Sequence, residues 1–172
     1  MRRWLLWAPL ALFAIFVGVA MMGLRREPAT LTPSRLVGQP MPAFSLPPML
    51  PSRPGTSGGG QGPRLVNLFG SWCVPCIAEA PQLLQLREAG LTIDAVAIRD
   101  RPEDVRRFLA EHGDPFRFIG SDPISHVQVT LGSSGVPETF LVDGAGLIRA
   151  HHVGPILPEH VPDLVSQARA LQ

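Results

Sequence analysis

The sequence predicts an α/β fold, a mixed sheet flanked by helices and preceded by an N-terminal apolar helix. Three observations predict it. Short apolar runs suited to buried strands alternate with helical patterns from residue 64 to 131, and a hairpin signal follows them. The run Leu65 to Phe69 stops at Gly70-Ser71 and passes into a helical pattern at Cys73-Val74-Pro75-Cys76, which holds the only cysteines in 172 residues. Trp4 to Leu24 is an uncharged apolar stretch of 21 residues. A helix of that length crosses the roughly 30 Å core of a bilayer.

Length leaves room for one anchor and one domain, since a domain commonly takes about 100 to 150 residues. The chain reads as an anchor over 1–24, a polar, proline-containing tether over 25–35 and a globular domain over 36–172. A cleaved signal peptide competes for the first segment, with Gly18-Val19-Ala20 as a small-x-small site. The apolar run exceeds the usual 7 to about 15 residues of a signal, which favours an anchor. Trp4 and Trp7 fall where an interfacial aromatic belt sits. Arg2 and Arg3, set against Arg25 and Arg26 beside Glu27, give a weak bias toward a cytoplasmic amino terminus. A net charge of +1 points to no nucleic acid. All fifteen basic residues are Arg, a compositional bias rather than a functional signal.

Within the domain, Gly38 to Leu46 reads as a short strand pinned by Pro40 and Pro42. Pro47 to Pro63 is rich in Pro, Gly and Ser and is expected as a flexible surface loop. Its Gly58-Gly59-Gly60 is no phosphate loop, because no strand leads in and no Lys follows. Arg64 to Phe69 is the central strand, and a helix runs from Cys73 to about Glu88 with Pro81 inside it. Ile77, Leu83, Leu84 and Leu86 are its core face. Leu91 to Ile98 reads as a buried parallel strand. Pro102 opens a helix to about His112, with Glu103 and Asp104 complementing its N-terminus. Phe116 to Ile119 is a short strand and Asp122 to Leu131 a short helix ended by Gly132. Thr139 to Val142 and Leu147 to Val153 form a hairpin across Asp143-Gly144-Ala145-Gly146, and Pro158 to Leu171 is a closing helix.

Cys-x-x-Cys at a strand-to-helix junction has a physical use. Unpaired N–H groups and the helix dipole favour a thiolate at the first sulfur. The second, one turn on, lies on the same face and can close a disulfide with the first. Structural zinc needs four ligands, and the chain has no second Cys pair or spaced His pair. A purely structural disulfide enclosing two residues would constrain the unfolded chain little. Thiol–disulfide exchange is the favoured chemistry, and lone redox cysteines suit an exported protein. Glu79, three residues after Cys76, can lie on the cysteine face of the helix.

Trp72-Cys73-Val74-Pro75-Cys76 after an apolar strand resembles the thioredoxin fold. Gly132-Ser133-Ser134-Gly135-Val136-Pro137-Glu138-Thr139-Phe140 resembles a fingerprint of the membrane-anchored thiol:disulfide interchange proteins of cytochrome c maturation, the CcmG/DsbE family. His152-Val153-Gly154-Pro155 resembles a turn of the same family, although Ser133 stands where the family usually has Val. The resemblance spans residues 36 to 170. It implies a thioredoxin-like domain in the periplasm, held to the bacterial inner membrane by a single pass and acting as a monomeric protein-disulfide reductase. Its clients would be apocytochrome c or haem-ligation proteins, and its electron donor a transmembrane thiol reductant of the CcdA or DsbD type. No cofactor beyond a Cys73–Cys76 disulfide is expected, and no metal.

Cys73 would be the nucleophile and Cys76 the resolving thiol. The resemblance implies a cis Val136-Pro137 bond facing the cysteines, with Trp72, Val136 and Pro137 meeting substrate and Glu79 and Glu138 forming an acidic site. Negative charge there raises a thiol's pKa, so Cys73 is expected at about 7 or above rather than near 3.5. The pair should then be reducing, toward about −200 to −270 mV rather than about −120 mV. Asn67, six residues before Cys73, stands where thioredoxin carries a buried acid, so another base, or water, must serve. A related reductant of copper chaperones or other periplasmic clients is an alternative. A copper metallochaperone is an alternative from another class, drawing on Cys73, Cys76 and a histidine. Its usual Cys-x-x-x-Cys is one residue longer, and His112, His126, His151, His152 and His160 read as surface or turn histidines.

Overall fold

A computed structural model describes residues 35–60 and 62–171, with residues 7, 12–13 and 15–18 of the N-terminal segment. The chain divides into two compact units, 1–32 and 33–172. In the first, residues 12–13 and 15–18 are helical and exposed. The predicted anchor over Trp4 to Leu24 lies largely outside the described residues. Among the described residues no helix is long and apolar enough to cross a membrane.

The second unit is built on five strands: β1 (Arg64–Phe69), β2 (Ile93–Ile98), β3 (Phe118–Asp122), β4 (Glu138–Val142) and β5 (Ile148–Val153). Their order is β3-β2-β1-β4-β5. β1, β2 and β3 run parallel, while β4 lies antiparallel to both β1 and β5. The helices are α1 (Val74–Glu88), α2 (Pro102–His112), α3 (His126–Thr130) and α4 (Val161–Arg169), the last entered through a 3-10 turn at Pro158–His160. This is a thioredoxin-like fold, with a mixed sheet between helical layers.

Alternation along the strands makes two cores. Leu65 and Phe69 of β1 and Leu141 of β4 pack with Leu83 and Leu86 of α1, Phe108 of α2 and Leu164 of α4. Val66 and Leu68 of β1 and Phe140 and Val142 of β4 pack on the opposite face with Val127 and Leu131 around α3. Asn67 and Thr139, hydrogen-bonded to each other, share the α1 face, while Glu138 shares the parity of Phe140 and turns to the α3 face.

The predicted helix over 122–131 is shorter than its pattern. Ser125 adopts a left-handed backbone at φ 59°, and the helix begins only at His126. The Asp122 carboxylate at the end of β3 accepts from the amides of His126 and Val127 and so caps it. The strand expected over 38–46 is reduced to isolated bridges, Pro40 with Leu147 and Ser45 with Ser57.

The segment 47–63, expected as a flexible loop, is packed over its described part. Met49 and Leu50 are buried in the α1-side core, and buried Thr56 Oγ1 donates to Ala95 O at 2.7 Å. Buried Arg64 donates to Gly58 O at 2.6 Å and lies 3.4 Å from Asp94. A Cβ on Gly55 would meet Leu46 O at 2.0 Å, and one on Gly58 would meet Pro42 O at 2.0 Å. These glycines permit close approach of two backbones, which composition alone cannot distinguish from mobility.

Candidate redox site

The site forms where β1 ends and α1 begins. Gly70 lets Trp72 fold back, since a Cβ there would stand 2.7 Å from the indole. The Trp72 indole N–H donates to Ile98 O at 3.1 Å, holding the ring while leaving it 57% exposed. Asp100 accepts from both the backbone N–H and the hydroxyl of Ser71, at 2.6 and 2.8 Å. That acid, beyond the end of β2, fixes the turn that delivers the cysteines. No sequence motif pointed to it.

Cys73 is the N-cap of α1, in extended conformation, and its Sγ accepts from the Cys76 N–H at 3.2 Å. The same N–H also reaches Cys73 O at 3.0 Å, so one first-turn donor of the helix is shared between sulfur and carbonyl. Cys73 and Cys76 are joined as a disulfide, with Cα atoms 5.2 Å apart. Relative exposures of 4% and 1% leave Cys73 the more accessible of the two. The Val136–Pro137 bond is cis, and Val136 O stands 3.5 Å from Cys73 Sγ. The cysteine pair and the Val136 carbonyl before cis Pro137 therefore meet at one point, while the Trp72 ring turns toward the end of β2.

Glu79 is not on a solvated helix face. It follows Cys76 by one turn on the buried side of α1 and is 1% exposed. Its carboxylate accepts from Asn67 Nδ2 at 3.0 Å and from Ile156 N–H at 2.9 Å. Burial pushes its pKa from 4.5 up to about 7, the two hydrogen bonds opposing that rise. Asn67 Nδ2 also donates to Thr139 Oγ1, at 2.9 Å, while Asn67 Oδ1 is buried with no partner among the described residues. The His152-Val153-Gly154-Pro155 turn serves this network. It presents the Ile156 amide to Glu79, and Gly154 N–H donates to Pro137 O at 3.0 Å.

Glu138 is equally buried but faces the other way, so it is not at an exposed edge. Oε1 accepts from Ser134 N–H at 2.8 Å, Ser134 Oγ at 2.9 Å and Gly135 N–H at 3.3 Å. Oε2 lies 2.9 Å from His151 Nε2. Burial alone would raise its pKa, but the bonds from His151 and from the serines at 133 and 134 outweigh it and hold the carboxyl below its ordinary value.

Two histidines expected at the surface are also inside. His151 stacks on Phe140 with ring centroids 4.1 Å apart. His152 turns to the opposite face beside His160, and burial lowers its pKa. Among the described residues no group of three or more His, Cys, Asp or Glu side chains could hold a metal ion.

A cysteine pair at a helix N-terminus, its first member the less buried of the two, with a buried carboxyl of raised pKa one turn beyond the second, is suited once reduced to attacking and releasing disulfides. Comparison with known proteins agrees. The Redoxin family model matches residues 36–168. A thiol:disulfide interchange protein HelX of Rhodobacter capsulatus is 37% identical over 158 residues, 91% of this chain and 90% of that one. A thiol:disulfide interchange protein DsbE of Pseudomonas fluorescens is 38% identical over 157 residues, 91% of this chain and 88% of its own. The crystal structure of a Chlorobium tepidum protein titled thiol:disulfide interchange protein DsbE superposes with a TM-score of 0.64 at 26% identity, covering 78% of this chain and 96% of that one. With both the family model and these relatives spanning most of its length, the chain belongs to the redoxin family as a thiol:disulfide interchange protein of the DsbE type.

Proposed function

We propose that this protein is a membrane-anchored reductant in the periplasm that opens the disulfide of apocytochrome c, or of a haem-ligation partner, so that both thiols become free for haem attachment. The observation that carries the reading is the buried Glu79 carboxyl, its pKa near 7, one turn beyond Cys76. A reductant must resolve its own mixed disulfide, and that step needs Cys76 as a thiolate in a buried position. Glu79 supplies the base there that Asn67 cannot.

In the forward reaction the Cys73 thiolate attacks one client sulfur, forming a Cys73–client bond and expelling the other client sulfur as a thiolate. Glu79 takes the Cys76 proton, and the Cys76 thiolate attacks Cys73 Sγ. The Cys73–client bond breaks, the second client thiolate leaves, and Cys73–Cys76 forms. Two electrons pass to the client, and the thiol protons follow to the client sulfurs and solvent. Trp72 and Val136 form the surface on which the client chain lies, and Glu138 holds the backbone before Pro137. A transmembrane thiol reductant of the CcdA or DsbD type returns the two electrons. The apolar run Trp4 to Leu24 is the anchor.

The test is to equilibrate the chain with a glutathione or dithiothreitol series and then offer the reduced form an oxidised Cys-x-x-Cys-His peptide, the haem-attachment motif. A potential near or below about −200 mV with rapid reduction of the peptide supports the reading, and one near about −120 mV makes the protein an oxidant. Tight one-to-one binding of Cu(I) by the reduced chain would favour a metallochaperone instead.

A further inference from the structure

The loop between α3 and β4 carries the Val136 carbonyl to Cys73, and backbone bonds fasten its two ends: Ser133 N–H donates to Gln128 O and Gly154 N–H to Pro137 O, each at 3.0 Å. Ser133 Oγ donates to Gly135 O at 2.8 Å within the loop. The Ser134 and Gly135 amides are held from outside the loop by Glu138 Oε1, which takes three donors from those two residues. A carboxylate oxygen serves three donors well only while the group is charged and correctly aimed. Its second oxygen decides both. Oε2 is buried on the α3 face, where His151 Nε2 at 2.9 Å is its partner among the described residues.

His151 is itself fixed. It lies opposite Phe140 in the β4–β5 register, its ring nearly parallel to the phenyl at 15° and its side chain 8% exposed. Nδ1 is buried without a partner among the described residues, where the ring's polar engagement is through Nε2. A ring held by stacking and bonded at one nitrogen is suited to aiming a carboxylate.

We propose that His151 is a positioning residue for thiol–disulfide exchange: by occupying Glu138 Oε2 it leaves Oε1 to hold the 134–135 backbone, and with it the Val136 carbonyl, against Cys73. Without His151, the buried Oε2 is unsatisfied and the carboxyl takes up a proton instead. A neutral carboxyl is a weaker acceptor for the three loop donors, and the client-facing backbone loosens. Of the other titratable or charged groups on the surrounding elements, His126 is exposed on α3, Asp122 caps that helix, Arg64 on β1 bonds Gly58 O and lies by Asp94, Arg149 is bound to Asp143, and His152 faces His160 across the sheet. None of them bonds Glu138.

The client invoked in the kinetic arm rests on the function proposed above, whereas the spectroscopic arm needs no client. In the full chain, NMR follows the Glu138 carboxyl and the Ser134 and Gly135 amides as pH is lowered, in wild type and in His151→Phe, which keeps the stacked ring. In wild type the two amides should move with the carboxyl. In His151→Phe the carboxyl should protonate at higher pH and the amides should follow it, while His151→Gln, which restores one donor, should lie near wild type. At neutral pH, His151→Phe should raise KM for the oxidised Cys-x-x-Cys-His peptide about tenfold, the loss of roughly one charge-assisted hydrogen bond, with kcat within about twofold. Wild-type amides that stay still while Glu138 protonates would overturn the proposal, even if the Phe variant fails to fold. So would a Glu138 titration or a KM that His151→Phe leaves unchanged. Coupled amides in a chain that cannot reduce the peptide would overturn the client and leave the role of His151 standing.

Discussion

Glu79 and Glu138 are both 1% exposed, and both belong to networks that reach Pro137 or the residue beside it. They nevertheless titrate in opposite directions. Glu79, on the α1 face, receives two neutral donors, and burial wins, taking it to about 7. Glu138, on the α3 face, receives bonds from a histidine and from several loop donors, and these overcome the burial that alone would raise it too. Burial of a carboxyl therefore does not predict its charge. The number of donors and the presence of an ionisable partner decide it. One face of the sheet gains a base that can accept a proton, and the other a fixed anion that holds backbone.

The comparison breaks most visibly in the step that needs the base. Glu79→Gln should slow attack of Cys76 on the mixed disulfide by roughly a hundredfold, the lower range for loss of a general base. In wild type this rate should rise with pH through about 7 and then level. In the variant the rise should move to higher pH, where Cys76 ionises unaided. Acid trapping of the mixed disulfide during a single turnover measures it. A Glu138→Gln variant that lengthens the intermediate as much would show that both glutamates act on chemistry and that the division of roles is false.

Stability against pH separates the two more directly. Glu79 has a folded pKa above its unfolded value, so its contribution is present in full below about pH 4.5 and is lost as pH rises through about 7. Moving the carboxyl from 4.5 to about 7 corresponds to roughly 3 kcal/mol. Glu138 is the reverse. Its lowered pKa gives stability that is present above its unfolded value and lost as pH falls through the folded one. Denaturant unfolding of the oxidised chain at acid and mildly alkaline pH should show Glu79→Gln gaining relative to wild type only on the alkaline side. Glu138→Gln should lose most at neutral pH and least in acid. Variant curves that keep a constant distance from wild type would contradict both assignments.

Asn67 offers a finer test on the Glu79 side. Among the described residues its Oδ1 is buried without a partner, while Nδ2 serves both Glu79 and Thr139. Rotated, the same amide would accept from a protonated Glu79, so it can serve either state of that carboxyl. Asn67→Leu removes the donor to the charged form and should raise the Glu79 titration midpoint further. It should cost about 1 to 2 kcal/mol at alkaline pH, where an unmade bond to a charged group matters most. The pH dependence of unfolding reads both.

Much of the fold was legible because its signals are periodic. The strand-to-helix switch at residue 70, Pro102 at a helix start and the turn cluster at 143–146 are local features, and the elements formed within a few residues of their predicted bounds. What escaped depends on which residues lie opposite each other. His151 and His152 are neighbours in sequence, yet alternation sends one to Glu138 and the other to Pro155 O across the sheet. A hairpin pairing Phe140 with His151 puts Glu138 and His151 on one face, a signal recoverable only once the register is known. The spacing of Glu79 from Cys76 gave its helix face correctly but not its burial, because the covering Ile156 arrives from another segment. Gly55 and Gly58 read as freedom and proved to be close contacts.

The smallest effect should fall on Cys73. A negative charge nearby disfavours a thiolate, so removing either glutamate's charge should shift the pH profile of Cys73 alkylation in the reduced chain to lower pH. The two shifts should differ in size. Glu138 is already engaged by His151 and turned to the far face, where much of its field is answered locally. Glu79 shares the buried face of α1 with Cys76 and has no cation bonded to it. Above pH about 7, where it is charged, Glu79→Gln should therefore move the alkylation midpoint further than Glu138→Gln does. The reverse order would mean that the field at Cys73 is set from the loop before Pro137, and that the division between a proton-accepting face and a backbone-holding face does not extend to the nucleophile.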